Sequence, residues 1–478
     1  MSRIVVIGGG IAGLAAAYRL TQSAPDLTLT LIESETRLGG KITTERVDGF
    51  TIEGGPDLFL ATKPRGLGLC RELGLEDRLQ GTNKNSRRTY VMRGGQLYEL
   101  PEGLTGLIPT RVGPMVRTGL LSPLGKLRMG LDFLIPPRST NGDESLAAFV
   151  ERRLGREVYD RLIEPLMSGI YAGNGEQLSL AATFPQLRQA ELEYGGLIKG
   201  MLAANKLAAQ KQTPAPKRAS AFLAPANGMA EIVEALEARL WGIDIRRGTR
   251  VVCIEAASAG YHVELENGDR LQADAVILAT PAYVTAGLIA NLDLQLARAL
   301  HAIPYVSTIT VSVAYPLADM RNARPLDGYG YIIPRAEDRS ILACTWTSTK
   351  FPGRAPEGFG LIRAFIGRAG QESALDGTDE ELLQLVREEL RRTLGITTPP
   401  ILYRLFRWPK AMPQYTLGHL DRLAIIERRL AAHPGLFVAG NAYRGIGIPD
   451  CIASGEAAAE AALKFLPLPS SERAPATI

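Results

Sequence analysis

The chain has 478 residues, 46% of them hydrophobic and 22% charged, with a formal net charge of +4. This is the make-up of a soluble globular protein too long for one ordinary core, so two or three interleaved domains are expected. The mild basic excess excludes a nucleic-acid binder. Cys70, Cys253, Cys344 and Cys451 are scattered, as are the four histidines, which excludes a zinc site, any other metal cluster and a disulfide framework.

Residues 3–7 are a short β-branched run, bounded at once by Gly8-Gly9-Gly10-Ile11-Ala12-Gly13. Residues 14–20 read as helix and 27–32 as a second strand closed by Glu33, twenty positions after Gly13. Strand, glycine turn, helix, strand and acid make the fingerprint of a dinucleotide site. Gly8 makes the tight turn, Gly10 lets a pyrophosphate approach the backbone, and Gly13 lets the helix pack on the strand. The phosphates would sit at the helix amino end, where free N–H groups and the dipole favour negative charge. Glu33 can accept from both ribose hydroxyls.

The continuation, Glu33-Ser34-Glu35-Thr36-Arg37-Leu38-Gly39-Gly40-Lys41, resembles the E-x-x-x-R-x-G-G-K/R run of FAD-dependent amine oxidases and their relatives. The resemblance implies FAD, with Ser34, Arg37, Gly40 and Lys41 closing over its adenosine and pyrophosphate. Gly54-Gly55-Pro56-Asp57-Leu58 follows a strand at 50–53 and matches the stretch that lies near the flavin ring in that superfamily. Residues 89–100 read as a hairpin turning at Arg93-Gly94-Gly95.

Residues 104–210 are mainly helical, punctuated by prolines. Between 104 and 131 the cations are Arg111, Arg117, Lys126 and Arg128; Leu107, Ile108, Val112, Met115, Val116, Leu120, Leu121 and Leu124 would supply an apolar face. Such a stretch can lie on a membrane surface, or its cations can simply face water. A polar linker at 210–217 returns the chain to the nucleotide domain, with a helix at 230–240 and strands at 251–254, 261–265 and 275–279. Strands at 307–313, 341–346 and 361–365 begin a second sheet domain. A last strand within 435–442 ends at Gly440 and leads through Gly445 to Asp450 into a helix over 451–463, whose amino end would face the flavin pyrimidine.

Three further stretches carry a narrower resemblance. Ser168-Gly169-Ile170-Tyr171-Ala172-Gly173 with Leu178-Ser179, Met412-Pro413-Gln414-Tyr415-Thr416-Leu417-Gly418-His419, and Gly445-Ile446-Gly447-Ile448-Pro449-Asp450-Cys451-Ile452 are similar to motifs of the porphyrinogen oxidases. That family oxidises porphyrinogens to porphyrins with FAD and O2 late in haem synthesis. Hydride leaves a meso carbon for the flavin in each of three cycles, and H2O2 is released. Its two branches act on protoporphyrinogen IX or, in many Gram-positive bacteria, on coproporphyrinogen III. The segments around Thr345, Phe365 and Ile448, together with Lys63, look more like the coproporphyrinogen branch. Thr89, with Arg88 one place earlier, stands where the other branch carries a propionate-binding arginine.

The resemblance implies these roles. The Gly169 backbone carbonyl orients the substrate; Lys63, Arg88, Thr89, Tyr329, Ile332 and Phe365 bind it. Gly8, Gly9, Gly10, Ile11, Ala12, Gly13, Glu33, Ser34, Arg37, Gly40, Lys41, Gly55, Pro56, Asp57, Leu58, Val251, Trp408, Gly440, Gly447, Ile448, Pro449 and Asp450 bind FAD. An amine oxidase is the rival reading, although its cage signature is replaced by Gly440-Asn441-Ala442-Tyr443; a flavin binder without turnover is the other. The expected fold is α/β: a Rossmann-type FAD-binding domain (1–88, 212–282 and 426–478), an inserted α+β substrate domain (89–103 and 283–425), and a helical subdomain (104–211) with a surface suited to membrane contact. With a strand at residue 3 there is no room for a signal peptide, and no apolar run reaches the ~20 residues that span a bilayer, so a cytoplasmic, at most peripheral, monomer or homodimer is expected. A haem-pathway enzyme such as ferrochelatase is the expected protein partner.

Overall fold

The β-branched run Arg3–Ile7 is the middle of a five-stranded parallel sheet, in the order Asp244–Arg246, Thr28–Ile32, Arg3–Ile7, Ala275–Leu278, Leu436–Val438. The computed structural model describes residues 2–101, 104–105, 108–109, 112–139, 142–210 and 220–466. Ile4 and Val6 point to one face of this sheet, into a core with helices Ile11–Ser23 and Ile448–Phe465; Val5 and Ile7 point to the other, against helices Ala282–Leu288 and Leu294–His301. Burial on both faces is why these strands read as unbroken apolar runs. Helix Ile11–Ser23 lies unusually close to its neighbours. A β-carbon at Gly13 would sit 1.9 Å from the Gly8 carbonyl oxygen, and one at Gly455 2.0 Å from that of Ala12.

Seven strands form a second, mixed sheet: Leu402–Pro413, Tyr305–Pro316, Phe359–Ile366, Ile341–Trp346, Gly328–Ile332, Arg88–Arg93 and Gln96–Glu99. The expected hairpin is therefore this sheet's edge, joined parallel to Gly328–Ile332. Helix Asp379–Leu394 covers one face through Leu382, Val386, Leu390 and Leu394, started by a Thr378/Glu381 capping box and stopped by Gly395 at φ 75°. The opposite face carries Thr310, Ala343 and Phe365. Phe406 wedges against Gly54, tying strand Phe50–Glu53 to this sheet.

Of the stretch 104–210 expected to be mainly helical, residues 112–210 are so, around a buried ion cluster in which Arg153 holds Asp132 at 2.6 Å and both are fully buried, whereas Leu104–Thr105 and Ile108–Pro109 pair as two short antiparallel strands. The single apolar face expected there is split. Met115, Leu120 and Leu121 are buried, whereas Val116 is 55% and Leu124 78% exposed. Arg128 does not face water either; it donates to the carbonyls of Glu151, Arg152 and Arg153, capping helix Leu146–Leu154. The side chains of Leu107, Ile108, Arg111 and Val112, and the linker beyond Gln210, lie outside the described residues. Two helices start earlier than expected, at Ile11 and Ile448, because Gly10 and Gly447 serve as extended N-caps and Pro449 fits the first turn.

Gly455 is the point where the first and last helices touch backbone to backbone. Gly455→Val is expected to destabilise the protein by about 3 kcal/mol or more, because a rigid carbonyl cannot yield as a side chain could. Thermal unfolding measures this; a melting temperature within a degree of wild type would contradict it.

Candidate functional site

Two glycine loops meet through their backbones. Gly39 N–H donates to the Gly9 carbonyl at 2.8 Å, and a β-carbon at Gly40 would lie 3.2 Å from Gly10 Cα. Gly8 takes φ 107° and Gly40 φ 54°, which only glycine adopts freely. A β-carbon at Gly10 would meet nothing within 4 Å, so this residue borders open space. The helix that follows, entered through Ile11 and Ala12, has no side-chain cap and no acid in its first turn, leaving its amino end free for an anion. Glu33 is buried, its Oε2 accepting from Gly9 N at 2.7 Å and its Oε1 from Glu35 N and the Ser34 hydroxyl. The Arg37 guanidinium donates to the carbonyls of Leu38, Gly40 and Ile42, bracing the second loop from within. Lys41 is half-buried with no acid partner among the described residues, and burial lowers its pKa. Val251 begins the strand Val251–Ala256 beside this end of the sheet and is buried.

The Gly54-Gly55 segment closes over the same region, since a β-carbon at Gly55 would fall 1.8 Å from the Lys41 carbonyl oxygen. The Gly54 carbonyl accepts from Thr310 Oγ1, Arg363 Nη2 and Trp408 Nε1, at 2.9, 2.9 and 2.8 Å. Beyond Pro56, Asp57 binds Lys350 at 2.7 Å; burial would push its carboxyl up, but Lys350 and Arg363 together hold it low. Leu58 packs against the core under the first helix. From the other side comes the last helix. Gly447 N–H donates to Asp450, and Lys63 Nζ reaches both Asp450 oxygens at 2.7 and 2.6 Å. Lys63 and Asp450, expected on substrate and cofactor respectively, are thus each other's partner. Ile448 and Pro449 are buried in the first turn, and Gly440, at φ 122°, also borders open space.

The open face of the large sheet supplies a wall. Register places Ile332 opposite Ala343, Ala343 opposite Phe365, and Phe365 opposite Thr310, so these side chains share one face. Thr89 lies in the same row system, two residues before Val91, which pairs with Ile332. Arg88 alternates to the other face, where it is exposed and paired with Asp327 at 2.8 Å; it is not brought to the wall. The Tyr329 hydroxyl is tied to the Asn83 carbonyl and Thr82, away from the row. Helix Glu164–Tyr171 ends against this face. Ala172, left-handed at φ 48°, clusters with Val306 and Leu342, and Phe365 packs on them. Near that end Gly169 is exposed. A β-carbon there would touch nothing within 4 Å, and no donor among the described residues reaches its carbonyl.

Comparison with known proteins agrees with this geometry. Residues 11–463 match the family of flavin-containing amine oxidoreductases. The chain belongs to that family. It is 39% identical to the coproporphyrinogen III oxidase of Bacillus subtilis, across 97% of this chain and 98% of the relative, and 37% identical to that of Staphylococcus aureus across 96% and 98%. The human protoporphyrinogen oxidase is 34% identical over 96% of this chain and 98% of its own length. An Exiguobacterium crystal structure, assigned provisionally to protoporphyrinogen oxidase, superposes with a TM-score of 0.85 at 35% identity, covering 97% and 99% of the two chains. A putrescine oxidase, at 16% identity and a TM-score of 0.69, shares the fold.

The cofactor of this flavoprotein is FAD, and the residues present fit it: an uncapped helix amino end, open space at Gly10 and Gly440, and Lys41, which has no acid partner among the described residues. Sequence reasoning passed over Thr310, Lys350 and Arg363. The available signal was a charged residue inside the buried apolar run 361–366. It also passed over the turn of π-helix at Tyr159–Ile163 that feeds helix Glu164–Tyr171, a distortion frequent at functional sites.

Gln414 and Tyr415 join the two sides of the site. Gln414 Nε2 donates to the Tyr171 carbonyl, while the Tyr415 hydroxyl donates to Asn441 O and accepts from Gly445 N. His419 stacks on Tyr415 with ring centroids 4.1 Å apart and its Nε2 bonds the Tyr443 carbonyl at 2.9 Å. Burial pushes its imidazole down to about 4. An unfolded histidine titrates near 6.5, so between about 6.5 and 4 the unfolded chain binds a proton that the folded flavoprotein refuses, and stability declines as pH falls through that window, by about 3 kcal/mol in all. The melting temperature of wild type should therefore fall more steeply than that of His419→Gln between pH 6.5 and 4.5. Parallel curves would contradict the assignment.

Proposed function

We propose that this flavoenzyme oxidises coproporphyrinogen III to coproporphyrin III. The substrate loses six electrons and six protons in three equal steps, and three O2 become three H2O2. Oxidation of a porphyrinogen is the activity its full-length relatives are named for; the choice of coproporphyrinogen rests on identities of 39 and 37%, against 34% for the human protoporphyrinogen enzyme. The single observation that carries the reading is the carbonyl of exposed Gly169, which no donor among the described residues reaches, three residues before Ala172, on whose cluster Phe365 packs. It is an acceptor suited to pyrrole N–H groups of a macrocycle lying along the Ile332–Ala343–Phe365 row. FAD, when bound, accepts the electrons and returns them to oxygen. The chain's own work is to hold the macrocycle by its N–H groups, to surround it with apolar surface that excludes water, and to keep it still. The architecture supports the division into a nucleotide-binding unit, a sheet domain holding the wall, and a helical unit delivering Gly169. Lys63 stands at the rim as the cation for a substrate carboxylate, and Asp450 holds it there until substrate arrives.

The helical unit also supports peripheral contact with an anionic membrane. Leu124, Leu127 and Leu134 are 78, 68 and 78% exposed, close in sequence to Lys126. No helix among the described residues is long and apolar enough to cross a bilayer. Release of a porphyrin here would suit hand-over to a haem-pathway enzyme such as ferrochelatase.

Anaerobic mixing tests the substrate assignment. Coproporphyrinogen III should bleach the flavin absorbance fastest, protoporphyrinogen IX more slowly, and a polyamine not at all; bleaching by the polyamine alone would overturn the reading. Lys63→Ala should raise KM for coproporphyrinogen III by about tenfold, the value of one rim contact near 1.4 kcal/mol, and affect protoporphyrinogen IX less. Equal effects on both would remove the rim role.

A further inference from the structure

Five ionised side chains gather beneath the Gly54-Gly55 segment, Glu53, Arg354 and Arg363 buried and Asp57 and Lys350 half-buried, and four of them pair. Arg354 holds Glu53 at 2.7 Å, and Lys350 holds Asp57 at 2.7 Å. Arg363 is left over. It is 3% exposed, and among the described residues no carboxylate lies within ion-pair distance of it. Its Nη2 donates to the carbonyls of Gly54 and Gly55, its Nε finds no acceptor, and its guanidinium lies 4.7 Å from the Phe365 ring centre. The cluster thus carries one net positive charge in the interior.

That charge is expensive, because a buried guanidinium without a counter-ion keeps little of the solvation it had in water. Burial lowers its pKa, with Asp57 and Glu53 opposing, yet arginine does not lose its proton in proteins, so the charge is permanent. The strand around it is apolar. Leu361, Ile362, Ala364 and Ile366 are all buried, and an aliphatic residue at 363 would satisfy packing alone. The Lys41 carbonyl lies behind the same glycine, against Gly55. In a medium of low dielectric, fixed charge of this kind acts strongly on whatever charge develops nearby.

We propose that Arg363 is a positioning residue that sets the reduction potential of the bound FAD, acting through the Gly54-Gly55 backbone. The proposal rests on the reading of that segment as the one beside the flavin ring. Each oxidative step takes two electrons and two protons from the substrate; FAD, when bound, would take up both electrons and one proton, a gain of one negative charge, and the second proton would go to solvent. Oxygen, with one proton from solvent, then takes the two electrons and the bound proton away as H2O2. A fixed positive charge favours the reduced, anionic form and so raises the potential. By donating to the two glycine carbonyls, Arg363 also polarises their peptide units in the same sense.

The experiment measures the two-electron midpoint potential of the holoenzyme by spectroelectrochemistry against a redox dye, with no porphyrinogen present, so a wrong substrate leaves the test intact. Arg363→Gln keeps a donor for the Gly54 carbonyl but removes the charge. It should shift the oxidised-to-reduced equilibrium at least tenfold toward the oxidised form, a potential lower by about 30 mV for a two-electron couple. Arg363→Lys should shift it threefold or less. Asp57→Asn removes a negative charge from the same cluster and should raise the potential. An unchanged potential in Arg363→Gln with FAD retained, or an equal fall in the Lys variant, overturns the proposal. Should Arg363→Gln lose its FAD, Asp57→Asn decides by sign: a rise supports the proposal, and no rise overturns it.

Discussion

Everything in this molecule depends on backbones that touch with no side chain between them. Gly13 rests on the Gly8 carbonyl, Gly39 bonds to Gly9, Gly55 lies on Lys41, and Gly455 lies on Ala12. The contacts at Gly13, Gly55 and Gly455 are closer than a β-carbon permits, and together with the Gly39–Gly9 bond they draw three remote pieces of chain around one space. The glycines are dispersed over the whole length, so the site exists only when both ends of the chain have folded into one sheet. The free amino end of the first helix and the open surfaces at Gly10 and Gly440 are what this packing leaves for a ligand.

One oxygen ties three strands of the second sheet to the first unit. The Gly54 carbonyl takes donors from Thr310, Arg363 and Trp408, on three neighbouring strands, while Phe406 packs on the same residue. Since Thr310 belongs to the row that carries Phe365 and Ile332, the position of the wall is referred directly to the glycine loop. Gln414 and Tyr415 make the corresponding link from the Gly169 helix to the loop at Asn441–Gly445. A flavin oxidase needs donor and acceptor held within a fraction of an ångström, and hydrogen bonds between separate elements supply that rigidity.

Much of this was legible in one dimension because glycine motifs and β-branched runs express local backbone requirements. The first βαβ unit, the hairpin at Arg93-Gly94-Gly95 and the strands Tyr261–Leu265 and Ile341–Trp346 fall where the pattern put them. What could not be read depends on partners far away in the chain. Nothing near residue 63 announces Asp450, and nothing near residue 88 announces Asp327. The face of Arg88 is set by sheet register, which joins it to a strand over two hundred residues later. Arg128 looked like a surface cation until the helix end it caps was seen. Arg363 was visible as a charge in an apolar strand, but its lack of a counter-ion is a property of the fold alone.

The central claim is that a bare main-chain carbonyl at Gly169 and an apolar row on the large sheet together hold a tetrapyrrole beside FAD. A crystal structure of the holoenzyme with coproporphyrin III tests it most directly. The account predicts pyrrole nitrogens within hydrogen-bond distance of the Gly169 oxygen and the macrocycle lying along Phe365 and Ile332. A macrocycle bound elsewhere, or a Gly169 carbonyl turned onto a protein donor, would contradict it.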